Sequence, residues 1–267
     1  MLFDTHSHLN FNGFKDDAHK VIERCLSEDI WMINVGSNLI TSRRAVELAQ
    51  AYEKGVYASV GLHPISFDTG LVKIKPEADD SPEKEFVYEE YKELARNPKV
   101  AAIGEIGLDY WSKPKSKVKQ AEFKQKQKDL FLQQLGLAKE LNLPVIIHCR
   151  MAFDDLLEIC GKTFIEGVIH CFTGTWAQAE KLMELGFHIG FNGIMFKLDL
   201  NEVIRRVPGD RILVETDCPY LTPPMEEGRN EPRYIKHVAQ KIAEVRGESF
   251  TEVAEVSTKN ARKLFRI

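Results

Sequence analysis

The chain has 267 residues, 43% hydrophobic and 28% charged, with 17 Gly and 11 Pro. That composition excludes a collagen-like fibre, a coiled coil and a disordered tail. Thirty-six Lys and Arg against 40 Asp and Glu give a net charge of −4, which argues against a globally basic nucleic-acid binder but allows a local basic patch. The 5 cysteines form no CxxC pair, so neither a disulfide framework nor a zinc ribbon fits, and reduced thiols are expected. Asp4 interrupts the first apolar residues, and no uncharged apolar run approaches the ~18 residues needed to span a bilayer. A cytoplasmic location without a membrane partner is the expectation.

In chain order, short apolar runs rich in Val and Ile predict strands at residues 2–6, 30–36, 56–62, 100–106, 144–149, 167–172, 187–191 and 211–216. They are unbroken rather than alternating, as expected of parallel strands covered on both faces. A long polar connection, 66–85, follows the third run and is a candidate rim loop or lid. After the fourth, residues 113–128 carry seven lysines and one glutamate. Phe131, Leu135, Ala138 and Leu141 then mark one face of a helix over 128–142. Strand–helix alternation implies βαβ crossovers, and eight units of about 33 residues each suit a (β/α)8 TIM barrel. No Pro- or Ser-rich linker divides the chain, so residues 1–267 are expected to form one domain.

The residues that can carry chemistry stand at the ends of these runs. His6 and His8 close the first, two apart and therefore on one side of a strand. Glu105 ends the fourth run, His148 the fifth, His170 the sixth and Asp217 the eighth. In an α/β barrel all strand C-termini meet on one face. Any one of these residues alone is an ordinary polar strand end. Four histidines and two carboxylates on that face point to a metal centre, because buried polar groups must be paired. Six mixed N and O ligands exceed one tetrahedral shell, which suggests two divalent ions. Glu105 has two oxygens to share between them, and Asp217 can both ligate and act as general base toward water.

Asp4-Thr5-His6-Ser7-His8-Leu9, Gly61-Leu62-His63-Pro64, Gly104-Glu105-Ile106-Gly107-Leu108-Asp109-Tyr110, Leu143-Pro144-Val145-Ile146-Ile147-His148-Cys149-Arg150, His170-Cys171-Phe172-Thr173-Gly174 and Glu215-Thr216-Asp217-Cys218-Pro219-Tyr220-Leu221 together resemble the TatD family of metal-dependent deoxyribonucleases. The resemblance spans nearly the whole chain. It implies an amidohydrolase-like barrel, a divalent metal centre and phosphodiester hydrolysis on DNA. It also implies a ligand set of His6, His8, Glu105, His148, His170 and Asp217. Asn10 stands where the family often has Asp, outside that set, and the 66–85 connection is longer than usual, which bears on substrate access.

Around the ligands, Arg150 can hold a phosphate bidentately or form a structural ion pair. His63 can meet the scissile phosphate, protonate a leaving group, or make a structural hydrogen bond. Strand alternation is expected to turn Cys149 and Cys171 away from the ligands into packing. Lys113, Lys115 and Lys117 are either a solvated face or, beside Trp111, a DNA contact. The expected activity is exonucleolytic cleavage of DNA, at strand ends or in single strands, with two ions (Mg, Mn or Zn). The same centre on an ester or amide, as in a D-aminoacyl-tRNA deacylase, is the alternative. A metal-free glycosidase using Glu105 with Glu215 or Asp217 would leave four histidines idle. Metal identity and oligomeric state are not legible in the sequence.

Overall fold

A computed structural model describes residues 1–73 and 81–267. Eight parallel strands hydrogen-bond in sequence order: β1 (Leu2–Ser7), β2 (Ile30–Val35), β3 (Val56–Val60), β4 (Val100–Asp109), β5 (Val145–Arg150), β6 (Gly167–Ile169), β7 (Phe187–Phe191) and β8 (Ile212–Val214). Past the ends of β8 and β1, the Asp217 N–H donates to the His6 carbonyl (2.8 Å) and the His8 N–H to the Cys218 carbonyl (2.9 Å). The buried Asp4 carboxylate adds a clasp, accepting the Thr216 N–H (2.9 Å) and the Thr216 hydroxyl. The architecture is the expected (β/α)8 TIM barrel.

The apolar runs form strands because both faces are covered. On β5, Val145 and Ile147 pack with the large core that includes the helices, whereas Ile146 joins Phe3, Ile33, Val168 and Leu213 in a second cluster. Ala261, Leu264 and Phe265 of the last helix belong to that second cluster. This helix, Phe250–Phe265, reaches from Met1, whose carbonyl accepts the Thr258 hydroxyl, to Asn142, whose carbonyl accepts from Arg266. It therefore lies across the end of the barrel opposite the ligand-bearing strand ends.

Several boundaries differ from expectation. β4 runs on to Asp109, while β6 stops at Ile169 and β8 at Val214. Cys171 (φ 46°) and Asp217 (φ 59°) turn into the left-handed region, which takes the chain out of the ladder. The helix expected at 128–142 begins eleven residues earlier, spanning Lys117–Leu141. Of the 66–85 connection, residues 74–80 lie outside the described residues, so its expected role as a lid is not addressed. The flanks are tied together by Asp68 N–H to Glu83 O (2.7 Å) and Glu83 N–H to Ser66 O (2.8 Å). Among the described residues no helix is long and apolar enough to cross a membrane.

His188, on β7, is buried, and burial with the nearby Arg211 guanidinium pushes its imidazole down to about 4. An unfolded histidine titrates near 6.5. Between these values the unfolded chain takes a proton that the folded chain refuses, so stability falls as pH drops from ~6.5 through ~4. The loss is on the order of 2–3 kcal/mol. Urea unfolding across this window should show a shallower acid slope for His188→Gln than for wild type, and parallel slopes would mean His188 is not the linked group.

Candidate metal centre

Every sequence-predicted ligand lies at the C-terminal mouth of the barrel. His6 and His8 come from β1 and the residue after it, Glu105 from β4 and His148 from β5. His170 and Asp217 stand just beyond β6 and β8. The His6 and His8 Nε2 atoms are 3.1 Å apart. His6 Nε2 lies 3.3 Å from Glu105 Oε2, and His8 Nε2 lies 3.5 Å from Asp217 Oδ1. On its other oxygen, Oε1, Glu105 meets His148 Nδ1 (3.0 Å), His170 Nε2 (3.2 Å) and His63 Nε2 (3.3 Å). Three of the resulting groups have donor atoms within 4.8 Å of one another: His6–Glu105–His170, His6–His8–Asp217 and His63–Glu105–His148.

Neighbouring acceptors decide which nitrogen of each ring faces the cluster. His8 Nδ1–H donates to the Val35 carbonyl (2.9 Å), which leaves the Nε2 lone pair toward Asp217 and His6. His170 Nδ1–H donates to Glu215 Oε1 (3.0 Å), which frees Nε2 on the Glu105 side. Glu215 is itself held by the Cys171 N–H (2.7 Å) and the Asn192 amide (3.0 Å). Gly190 makes room for it: a Cβ there would lie 2.7 Å from Glu215 Oε2. His63 is different. Its Nδ1 accepts the Ile65 N–H (3.1 Å), so Nε2 carries the proton and His63 is a donor toward Glu105 rather than a lone-pair ligand.

Burial opposes charge throughout this cluster; it holds His6 below its ordinary value, helped by the neighbouring His170, but at Glu105, His148 and His170 partners overcome it. Burial would raise the Glu105 carboxyl, but His63, His170 and His6, with the hydrogen bond from His148, hold it well below the usual carboxylate range. Burial would lower His148, but Asp109 and Glu105, one on each ring nitrogen, raise it to about 9. His170 is raised well above its ordinary value by Glu215 and Glu105 against the same burial. Ionised carboxylates interleaved with imidazoles, of which His8, His148 and His170 have one nitrogen tethered while His6 Nδ1 is buried without a partner, form a donor set that fits divalent cations, which displace such protons on binding.

A cavity of about 300 Å³ opens over the cluster, with Glu105, His148, Arg150, His170 and Asp217 in its wall. The Asp217 and His148 side chains are 15% and 14% exposed, whereas His6 and His8 are sealed. A larger hollow of about 580 Å³ beside Arg44 and Glu47 contains none of the six ligands. Arg150 reaches the mouth with its Nε held by Asp109 Oδ2 (2.7 Å). Cys149 is buried in packing, as strand alternation predicts. Cys171 corrects that expectation: it lies past the end of β6, lines the cavity and sits beside His170 and Asp217, because alternation ceases where the strand does. Nothing in the sequence assigns a role to Asp109, Asn192 or Asp4, and Glu215 stands out there only as a glycosidase carboxylate. Asp109 and Glu215 both flank ligands in sequence or register, but only the structure shows which nitrogen each one holds.

The profile of the family described as TatD related DNase matches residues 3–266. A relative from Bacillus subtilis, named as an uncharacterized metal-dependent hydrolase, YabD, is 41% identical with 100% of both chains covered. A protein from Pantoea vagans named 3'-5' ssDNA/RNA exonuclease TatD is 34% identical, again with 100% of both covered. The crystal structure of YJJV, a TatD homolog from Escherichia coli, superposes with a TM-score of 0.84 at 28% identity, covering 100% of this chain and 98% of that one.

If Glu215 orients His170 for a cation, Glu215→Gln should weaken zinc or manganese binding by about 10- to 100-fold in chelator competition, with the urea midpoint monitored alongside. Unchanged affinity in a folded variant would remove this role.

Proposed function

The chain belongs to the TatD-related DNase family, and from that membership and the geometry of the barrel mouth we propose that it is a metal-dependent deoxyribonuclease. In this reading residues 1–267 are one catalytic domain that hydrolyses phosphodiester bonds from the end of a single strand. The observation that carries it is the division of Glu105: Oε2 faces His6, while Oε1 faces His148 and His170. That division supports two adjoining cation positions sharing one carboxylate. His6, His8 and Asp217 would serve one side, and His148 and His170 the other. Divalent ions so placed supply Lewis acidity and make water nucleophilic near neutral pH.

The chain's own groups do the rest. Asp217, the most exposed carboxylate of the set, takes the proton of the attacking water. Arg150 lines the cavity with its Nε fixed by Asp109, and a guanidinium held this way suits the non-bridging oxygens of a phosphate. His63 keeps its proton on Nε2 beside Glu105 and offers it as a hydrogen bond to the leaving oxygen or to the phosphate. Glu215, which a glycosidase would need free, is fully buried and holds His170.

The test is a labelled single-stranded oligonucleotide incubated with EDTA-treated protein and then with added Mg, Mn or Zn. Progressive shortening from one end that depends on added metal is expected, and full activity after stripping would remove the metal mechanism. Asp217→Asn should lower kcat by about 10²–10⁴-fold, the usual contribution of a positioned acid or base. An aminoacyl ester turned over faster than DNA would favour the deacylase reading.

A hydrogen-bond donor and a ligand respond differently to removal. His63→Ala is expected to reduce kcat at least tenfold while metal content, measured by elemental analysis, stays at the wild-type level. His148→Ala should lose both, and a loss of metal in His63→Ala would reassign His63 as a ligand.

A further inference from the structure

Trp111 stands just past β4 with 64% of its surface exposed, although most of a tryptophan is ordinarily buried. Its position is not loose. The Trp111 backbone N–H donates to Asp109 Oδ1 (2.9 Å), and the other Asp109 oxygen holds Arg150 Nε (2.7 Å) and His148 Nε2 (2.9 Å). Asp109 is itself buried, and its N–H donates to the side chain of the buried Gln127 (2.8 Å). One fixed carboxylate therefore holds a candidate metal ligand, a cation at the cavity mouth and the backbone that carries an exposed aromatic ring. The guanidinium carbon of Arg150 lies 5.7 Å from the centre of the Trp111 ring, within the range of a cation–π contact.

We propose that Trp111 and Arg150 form a nucleotide subsite, with Arg150 on a phosphate and the Trp111 ring as the platform for an unpaired base of single-stranded DNA. The proposal rests on the phosphodiesterase reading and names the substrate feature that this site recognises. An exposed indole beside a tethered guanidinium offers one stacking face and one phosphate fork at a fixed separation. Every base has a π-face, so the platform tolerates any sequence but requires the base to be out of a duplex. Lys113, Lys115 and Lys117, all exposed beyond Trp111, continue the positive charge along the departing strand. Selection for a single strand then comes from stacking at the mouth, and the metal centre itself need only recognise a phosphodiester.

Two substrates separate the subsite from the chemistry: a fluorescent ten-residue oligo-dT and methyl 4-nitrophenyl phosphate, a phosphodiester without a base. Binding of oligo-dT is read by anisotropy in the Asp217→Asn background, and turnover of both substrates in the otherwise unmodified, metal-loaded enzyme. Trp111→Ala should raise the oligo-dT Kd and KM about tenfold or more, since stacking of a base on an aromatic ring is worth that much. It should leave kcat and the small diester unchanged, and Trp111→Phe should restore most of the binding. A Kd within twofold of the parent overturns the subsite, as does an equal loss on both substrates, which would mark a structural role. Hydrolysis of the small diester by an enzyme that binds no oligo-dT overturns the subsite and keeps the phosphodiesterase. Failure of the metal-loaded wild type on both substrates would remove the phosphodiesterase reading, and the anisotropy series would still decide whether Trp111 binds a base.

Discussion

Glu105 is the point on which the mouth of the barrel depends. It is 2% exposed, and nitrogens of His6, His63, His148 and His170 lie within 3.0 to 3.3 Å of its two oxygens. A carboxylate removed from water to this degree is tolerated only when its charge is balanced close by. The residues that balance it come from β1, β3, β5 and β6 or the turns that follow them, while Asp217 follows β8. Closure of the sheet between β1 and β8 is therefore a condition for the cluster as well as for the fold. The clasp of Asp4 on Thr216 lies directly beneath it.

Behind the cluster a second layer sets ring orientation. The Val35 carbonyl, Glu215 and Asp109 each take one imidazole nitrogen, and the Ile65 N–H occupies the fourth ring from the donor side. These contacts distinguish rings that are identical in the sequence. His8 and His170 present lone pairs, whereas His63 presents a proton. A hydrogen bond of this kind both fixes a tautomer and raises the basicity of a ligating nitrogen. The layer is built on strands and on their immediate ends, which position side chains more tightly than free loops do.

The barrel was legible because doubly covered parallel strands must be apolar throughout, and the clustering of the six candidate ligands because each interrupts such a run at the same end. Strand termination was less legible. Cys171 and Asp217 leave the ladder through left-handed backbone, a choice that neither residue type announces. Alternation carried past that point misdirected Cys171. The helix Lys117–Leu141 was foreseen only from 128 because, before Leu130, it buries just Phe123 and Gln127, too few for an apolar period. Gln127 is buried for a polar reason, as the acceptor of the Asp109 N–H. The roles of Asp109 and Glu215 were not legible for a related cause: a carboxylate near a candidate ligand acquires its role from the nitrogen it faces, and that is a property of register and turn geometry.

The same geometry resolves the tension between a net charge of −4 and a polyanionic substrate. Glu105, Asp217, Asp109 and Glu215 concentrate negative charge around the mouth, and the imidazoles offset it only in part. Two divalent ions would add four positive charges at this one place, and Arg150 lies in the wall of the same cavity. Attraction for DNA in the proposed reaction is then local and contingent on the ions. A cavity of about 300 Å³ is at the small end of ligand sites, which suits one nucleotide at a strand end better than a continuous duplex. In the proposed reaction few phosphates would be held at once in such a space, so binding would depend more on a stacked base and a phosphate at the ions than on the charge of the chain as a whole.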